Sequence, residues 1–136
     1  MMPQIYVACD GDWNEPEVQI SGSVKDLADF GELLNKAESR VTLDTPAQKN
    51  EYYPANIKAL VVEPSQSGDD DRLTVTIDES SFSLVGTTVA LNKLGDSLIN
   101  FFDVDTSIGE HFQLDYYEGN EVLNETRCHL IFMCDR

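Results

Sequence analysis

Basic residues are scarce in this chain: nine lysines and arginines stand against twenty-five acidic residues, a net charge of -16. Nucleic-acid binding relies on Lys and Arg neutralising phosphates, so this balance excludes a nucleic-acid partner. Anionic lipid surfaces repel it for the same reason. No apolar run approaches the roughly twenty residues that cross a bilayer. The opening Met1-Met2-Pro3-Gln4 has neither the basic nor the apolar region of a secretory signal, so cytoplasm is the expected compartment. Cysteine is sparse too: Cys9, Cys128 and Cys134 make an odd number without a CxxC pair. They read as reduced, buried thiols. Cys9 and Cys134 fall in the first and last expected strands and would meet if those strands were neighbours. Only two histidines occur, with no Gly-rich phosphate loop and no nucleophile-elbow sequence. These gaps leave little from which to build a catalytic centre, and no cofactor is expected.

What is present is a repeated pattern. Val18-Gln19-Ile20-Ser21-Gly22-Ser23, leading into Leu27, Gly31 and Leu34, returns sixty-four positions later. There it reads Phe82-Ser83-Leu84-Val85-Gly86-Thr87, then Leu91, Gly95 and Leu98. Both copies are an alternating strand, a glycine, a hydroxyl N-cap and a helix with glycine in its middle. Val24, Leu27, Gly31 and Leu34, with Ala28 and Phe30 beside them, form one face of the first helix. Leu91, Leu94, Gly95, Leu98 and Phe102 form one face of the second. Glycine inside a helix costs about 1 kcal/mol relative to alanine. Its recurrence at matching places predicts a close backbone approach, of helix to sheet or of helix to helix.

At 136 residues the chain has the size of one domain. The pattern predicts an α+β fold, a mostly antiparallel sheet with two helices, built from two similar β-β-α-β-β halves. Residues 1–63 make the first half and 72–136 the second, with 64–71 as an acidic linker loop. Strands are expected over 4–9, around Val18 and Ile20, at 40–44 and over 57–63. The second half repeats them at 73–77, 82–84, 111–117 and 128–134. Asp10 to Pro16 reads as a hairpin loop.

Candidate functional residues are carboxylates and exposed aromatics. Asp10-Gly11-Asp12-Trp13-Asn14 superficially resembles a calcium loop. The sixth and twelfth places from Asp10 hold Glu15 and Ser21 instead of Gly and Glu, which excludes that reading. Asp69-Asp70-Asp71 reads as a solvated acidic loop. Trp13 and the Tyr52-Tyr53 pair are candidate interface anchors. His111 and Asp115 share a strand face, and with His129 they leave a metal or general-base reading open.

Two blocks, Leu84-Val85-Gly86-Thr87 with Leu91, Leu94-Gly95 and Leu98, and Gly109 to Asn120 followed by Leu130-Ile131-Phe132, carry a family resemblance. Over residues 73–133 the chain resembles the immunity protein 32 family of bacterial polymorphic toxin systems. Where the family pattern favours a second histidine, this chain has Gln113. The resemblance implies a non-enzymatic protein that neutralises a cognate toxin by stoichiometric binding. The negative charge makes a basic toxin the expected partner. Expected contact residues are Asp10, Asp12, Trp13, Asp69, Asp70, Asp71, Asp115, Tyr117 and Glu118, with no metal. Two other readings stay open: a small oligomerisation domain using sheet edges, and a hydrolase or metal site at His111, Asp115 and His129.

Overall fold

The structure, a computed structural model, describes residues 2–48, 51–65 and 71–136. The elements run β1 (Tyr6–Cys9), β2 (Glu17–Gly22), α1 (Val24–Lys36), β3 (Val41–Asp44), β4 (Ala55–Asn56) and β5 (Ala59–Pro64). Then follow β6 (Thr74–Ile77), β7 (Ser81–Gly86), α2 (Thr88–Phe101), β8 (His111–Leu114) and β9 (His129–Cys134). The fold is α+β, with two helices and two mostly antiparallel sheets.

Both sheets draw strands from both halves of the chain. The first has the order β4-β1-β2-β9-β8 and the second β3-β5-β7-β6. Neighbours are antiparallel except at one seam in each: β2 runs parallel to β9, and β5 parallel to β7. Mostly antiparallel pairing was the expectation from hairpin-length links, and both sheets follow it. The two parallel seams, which the sequence did not locate, each join strands that no hairpin connects. β4 is a further addition, lying in the segment expected to be loop and pairing with β1 at the sheet edge. β8 stops at Leu114, three residues before the expected end.

Local chemistry explains the helix boundaries. The Ser23 hydroxyl accepts the Asp26 amide at 3.0 Å and donates to the Asp26 carboxylate at 3.0 Å. Thr87 caps α2 by accepting the Ala90 amide at 3.2 Å. Each cap contributes about 0.5–2 kcal/mol by satisfying an amide that has no partner inside the helix. Of the faces read from the sequence, Leu27, Phe30, Gly31 and Leu34 of α1 and Leu91, Leu94, Gly95 and Leu98 of α2 are buried, while Val24 and Ala28 of α1 are half-buried.

Those faces meet each other. A Cβ built on Gly31 would lie 2.7 Å from the Gly95 carbonyl oxygen, and one on Gly95 would lie 2.6 Å from the Gly31 carbonyl oxygen. Of the two approaches left open by the sequence, the one realised is helix to helix. Around this crossing a continuous core gathers both helices and both sheets, with Phe30, Phe82, Phe102 and Phe132 fully buried.

All three cysteines are buried and free. The sequence left open whether Cys9 and Cys134 meet; their strands are not neighbours, because β2 lies between β1 and β9. In addition, Cys9 registers with Val18 whereas Cys134 registers with Gly22, at the opposite end of β2. Burial pushes the Cys9 and Cys128 thiols up, which keeps them protonated and unreactive at neutral pH.

Candidate functional site: a carboxylate-clamped histidine

The loop from Asp10 to Pro16 is shaped by its own aspartates. Asp10 Oδ1 accepts the amides of Asp12 (3.0 Å) and Glu17 (3.3 Å), while Asp12 Oδ1 accepts those of Asn14 (3.1 Å) and Glu15 (3.2 Å). Gly11 supplies the positive φ of 91° that the turn needs. Trp13 is carried at the exposed tip. The loop docks on β9 through the His129 amide, which donates to the Pro16 carbonyl at 2.8 Å.

That docking puts Glu15 against His129. The imidazole bonds Glu15 Oε1 through Nε2 at 2.9 Å and Asp115 Oδ1 through Nδ1 at 2.8 Å. Asp115 arrives there because β8 and β9 register Leu114 with Leu130, so the next residue outward faces His129. Hydrogen bonds donated to Glu15 and then to Asp115 raise the His129 pKa above its ordinary 6.5. With both ring nitrogens donating to carboxylates, the imidazolium offers no lone pair to a metal or a substrate proton. Nearby, the Tyr53 hydroxyl donates to Glu17 Oε1 at 2.7 Å, and burial together with that carboxylate pushes the phenol up.

The expected His111, Asp115 and His129 constellation is only partly realised. Asp115 and His129 are in contact, but His111 registers with Met133, four residues along β9 from His129. That offset is roughly 13 Å at the rise of a β-strand. His111 is exposed, and its Nδ1 lies 3.2 Å from the Gly109 carbonyl oxygen. Among the described residues no group of three or more His, Cys, Asp or Glu side chains is arranged to hold a metal.

The other candidates divide by location. Asp10, Asp12 and Trp13 share the loop that carries Glu15, and Tyr117 and Glu118 follow Asp115, both exposed. Asp71 stands apart from them, paired with Lys93 of α2 at 3.0 Å, and that lysine also donates to the Glu121 carbonyl. Asp69 and Asp70 lie outside the described residues, as does most of the expected 64–71 linker. Tyr52 is exposed, whereas Tyr53 is partly buried at its bond with Glu17. Glu15 and Glu17 were not among the sequence candidates. Their only signal was proximity to Trp13 in a loop already rich in acids.

The clamp has a pH signature. Because folding raises the His129 pKa, its stabilisation is fully present below pH 6.5 and is lost as pH rises through the higher folded value. The side chains of His129, Glu15 and Asp115 are 41%, 64% and 44% exposed, so the effect is expected to stay below about 1 kcal/mol. His129→Gln should therefore be less stable than wild type at pH 5.5 and converge on it by pH 9. Melting temperatures across that range check this, and a gap that widens with pH would contradict it.

No family model, curated protein or solved structure matches this chain. Among the described residues no helix is long and apolar enough to cross a membrane.

Proposed function

We propose that this chain is a non-enzymatic, cytoplasmic binding protein that captures a basic protein partner. Following its resemblance to the immunity protein 32 family, that partner is a cognate bacterial toxin. The observation that carries this reading is the clustering of acids and aromatics at one end of the first sheet. Asp12, Trp13 and Glu15 project from a loop fastened to β9, and the Glu15–His129–Asp115 clamp joins that loop to the segment bearing Tyr117 and Glu118. Exposed Trp and Tyr within a charged surround are the composition of an interface hot spot. The net charge of -16 would accelerate encounter with a cationic target. The fully engaged His129 imidazole favours binding over turnover.

We also read the two β-β-α-β-β halves as copies of one unit. Support comes from the strand orders: taken from edge inward, β1-β2-β9-β8 and β6-β7-β5-β3 occupy corresponding places, with β4 as the one addition. The reciprocal contact of Gly31 and Gly95 is what a two-fold relation between α1 and α2 would produce.

The test is to co-produce this chain with the protein encoded beside it and measure both growth and complex formation. A one-to-one complex that weakens as salt rises, and that relieves growth arrest, is the expected result. Trp13→Ala should weaken it by about thirtyfold, the loss typical of an interface hot spot. Unrelieved growth arrest, or a complex indifferent to both salt and Trp13→Ala, would remove this reading.

A further inference from the structure

Among the described residues β8 is the last strand of its sheet, hydrogen-bonded to β9 on one side only. Edge strands of this kind usually carry lysine or proline, or are covered, which blocks uncontrolled pairing. His111-Phe112-Gln113-Leu114 has none of these residues. Beside the strand runs an open groove of about 500 Å³, lined by Ser97, Asn100, Phe101, Phe112 and Leu114. The connection from α2 to β8 adds two apolar side chains in solvent, Val104 at 96% and Ile108 at 72% exposure. An adjoining depression brings Asp103, Asp105 and Glu110 together with Phe101 and His111.

Charge decides what this edge would take. From Leu94 to Thr126 the sequence holds eight carboxylates and neither lysine nor arginine. A second copy of the chain would bring a like acidic edge, and two molecules of net charge -16 repel. A cationic strand meets no such barrier. We propose that β8 is a strand-addition site for an extended segment of a partner protein in which apolar and basic residues alternate. This rests on the proposed capture of a basic partner and specifies how part of that partner is held. Main-chain hydrogen bonds to β8 supply affinity that is independent of sequence. Side chains on one face of the added strand enter the groove at Phe101, Phe112 and Leu114, because alternate residues of a strand point the same way. Lysines or arginines at its end reach Asp103, Asp105 and Glu110.

The probe is a synthetic peptide of about eight residues alternating valine and lysine, long enough to overrun a strand of ordinary length. A valine–glutamate peptide and a glycine–lysine peptide serve as comparisons. Binding is followed by amide chemical shifts and hydrogen exchange on the intact chain. The expected result is slowed exchange at His111 to Leu114 with the valine–lysine peptide alone. In the Asp103→Asn/Asp105→Asn/Glu110→Gln variant, whose three sites are exposed, its affinity at low salt should fall by about tenfold or more. Equal binding of the glycine–lysine peptide, protection confined to the Asp10–Pro16 loop, no effect of the triple variant, or no binding would each overturn the strand-addition site. Capture of the neighbouring gene product would be unaffected by those failures, so the two readings fall separately.

Discussion

Gly31→Ala is expected to destabilise the protein by about 1–2 kcal/mol, although helix propensity alone predicts a gain of about 1 kcal/mol. The added Cβ would stand 2.7 Å from the Gly95 carbonyl oxygen, 3.0 Å from Ile99 Cγ1 and 3.1 Å from Leu98 Cβ. The nearest of these is backbone in another helix and cannot swing away. The whole α1–α2 contact has to open, and the core gathered around it opens too. Gly31→Leu should cost more than about 3 kcal/mol, a large share of the stability of an ordinary domain. Gly95→Ala meets the Gly31 carbonyl oxygen at 2.6 Å and also the Asn35 side chain, so it should behave alike. Once one alanine has separated the helices, the second finds space. The double variant is therefore expected to lose less than the sum of the single losses, since residues in contact couple. Urea unfolding of the four proteins measures all of this. A Gly31→Ala protein at least as stable as wild type would show that the crossing is looser than described.

A close backbone approach at Gly31 and Gly95 was legible in the sequence, because a glycine inside an amphipathic helix is locally unfavourable and it occurs twice at matching places. That helix would meet helix was not. Ser23 and Thr87 were legible as caps for a similar reason: a hydroxyl before an apolar stripe satisfies amides within its own turn. The two parallel seams were not. Val18 and Ile20 announce a strand, but nothing in their alternation states that Leu130 and Phe132, more than a hundred residues away, lie beside them. Burial pattern constrains which face a strand presents, not which neighbour it chooses. The division into two sheets was hidden on the same grounds, and β4 was hidden because two residues are too short for a period to show.

The candidate site was legible residue by residue and not as an assembly. Asp115 and His129 drew attention as polar groups in or beside strands, and their contact follows from the register of β8 with β9. His111 shared the same strand face in the sequence reading, yet four residues of offset along β9 take it to the other end. Glu15 was invisible as a partner because its position depends on how a seven-residue loop folds back onto β9. That fold is determined by Asp10 and Asp12 bonding to backbone amides. The two aspartates chosen as contact residues thus also shape the loop that presents Trp13 and Glu15.

Asn120→Ala is expected to cost about 2–4 kcal/mol, although Asn120 belongs to no helix or strand. Its side chain is almost fully buried and uses all four of its hydrogen-bonding positions on the backbone. Nδ2 donates to the carbonyls of Tyr117 (2.8 Å) and Leu123 (3.1 Å), and Oδ1 accepts the amides of Val122 (3.0 Å) and Leu123 (2.7 Å). Truncation takes this partner from the Leu123 carbonyl and from the Val122 and Leu123 amides, at about 1–3 kcal/mol for each group that finds no other, while the Tyr117 carbonyl keeps the Asn120 backbone amide at 3.1 Å. The loss also spreads. The Leu73 amide donates to the Val122 carbonyl at 2.7 Å and the Asn124 amide to the Leu73 carbonyl at 2.8 Å, so this loop holds the start of β6. Asn120→Asp retains the two acceptor contacts but turns a carboxylate toward two carbonyl oxygens, which should raise its folded pKa above the unfolded one. The Asp variant should accordingly match the Ala variant at neutral pH and recover part of the deficit as pH falls through the carboxyl range. Denaturant midpoints for both variants, taken relative to wild type at each pH, separate the donor half of the network from the acceptor half. Because the same side chain secures the Tyr117 carbonyl, partner affinity should decline in both variants even where they remain folded. Wild-type stability in Asn120→Ala would mean that water replaces the amide without loss, and the loop would then owe its shape to Gly119 and to Leu123 packing alone.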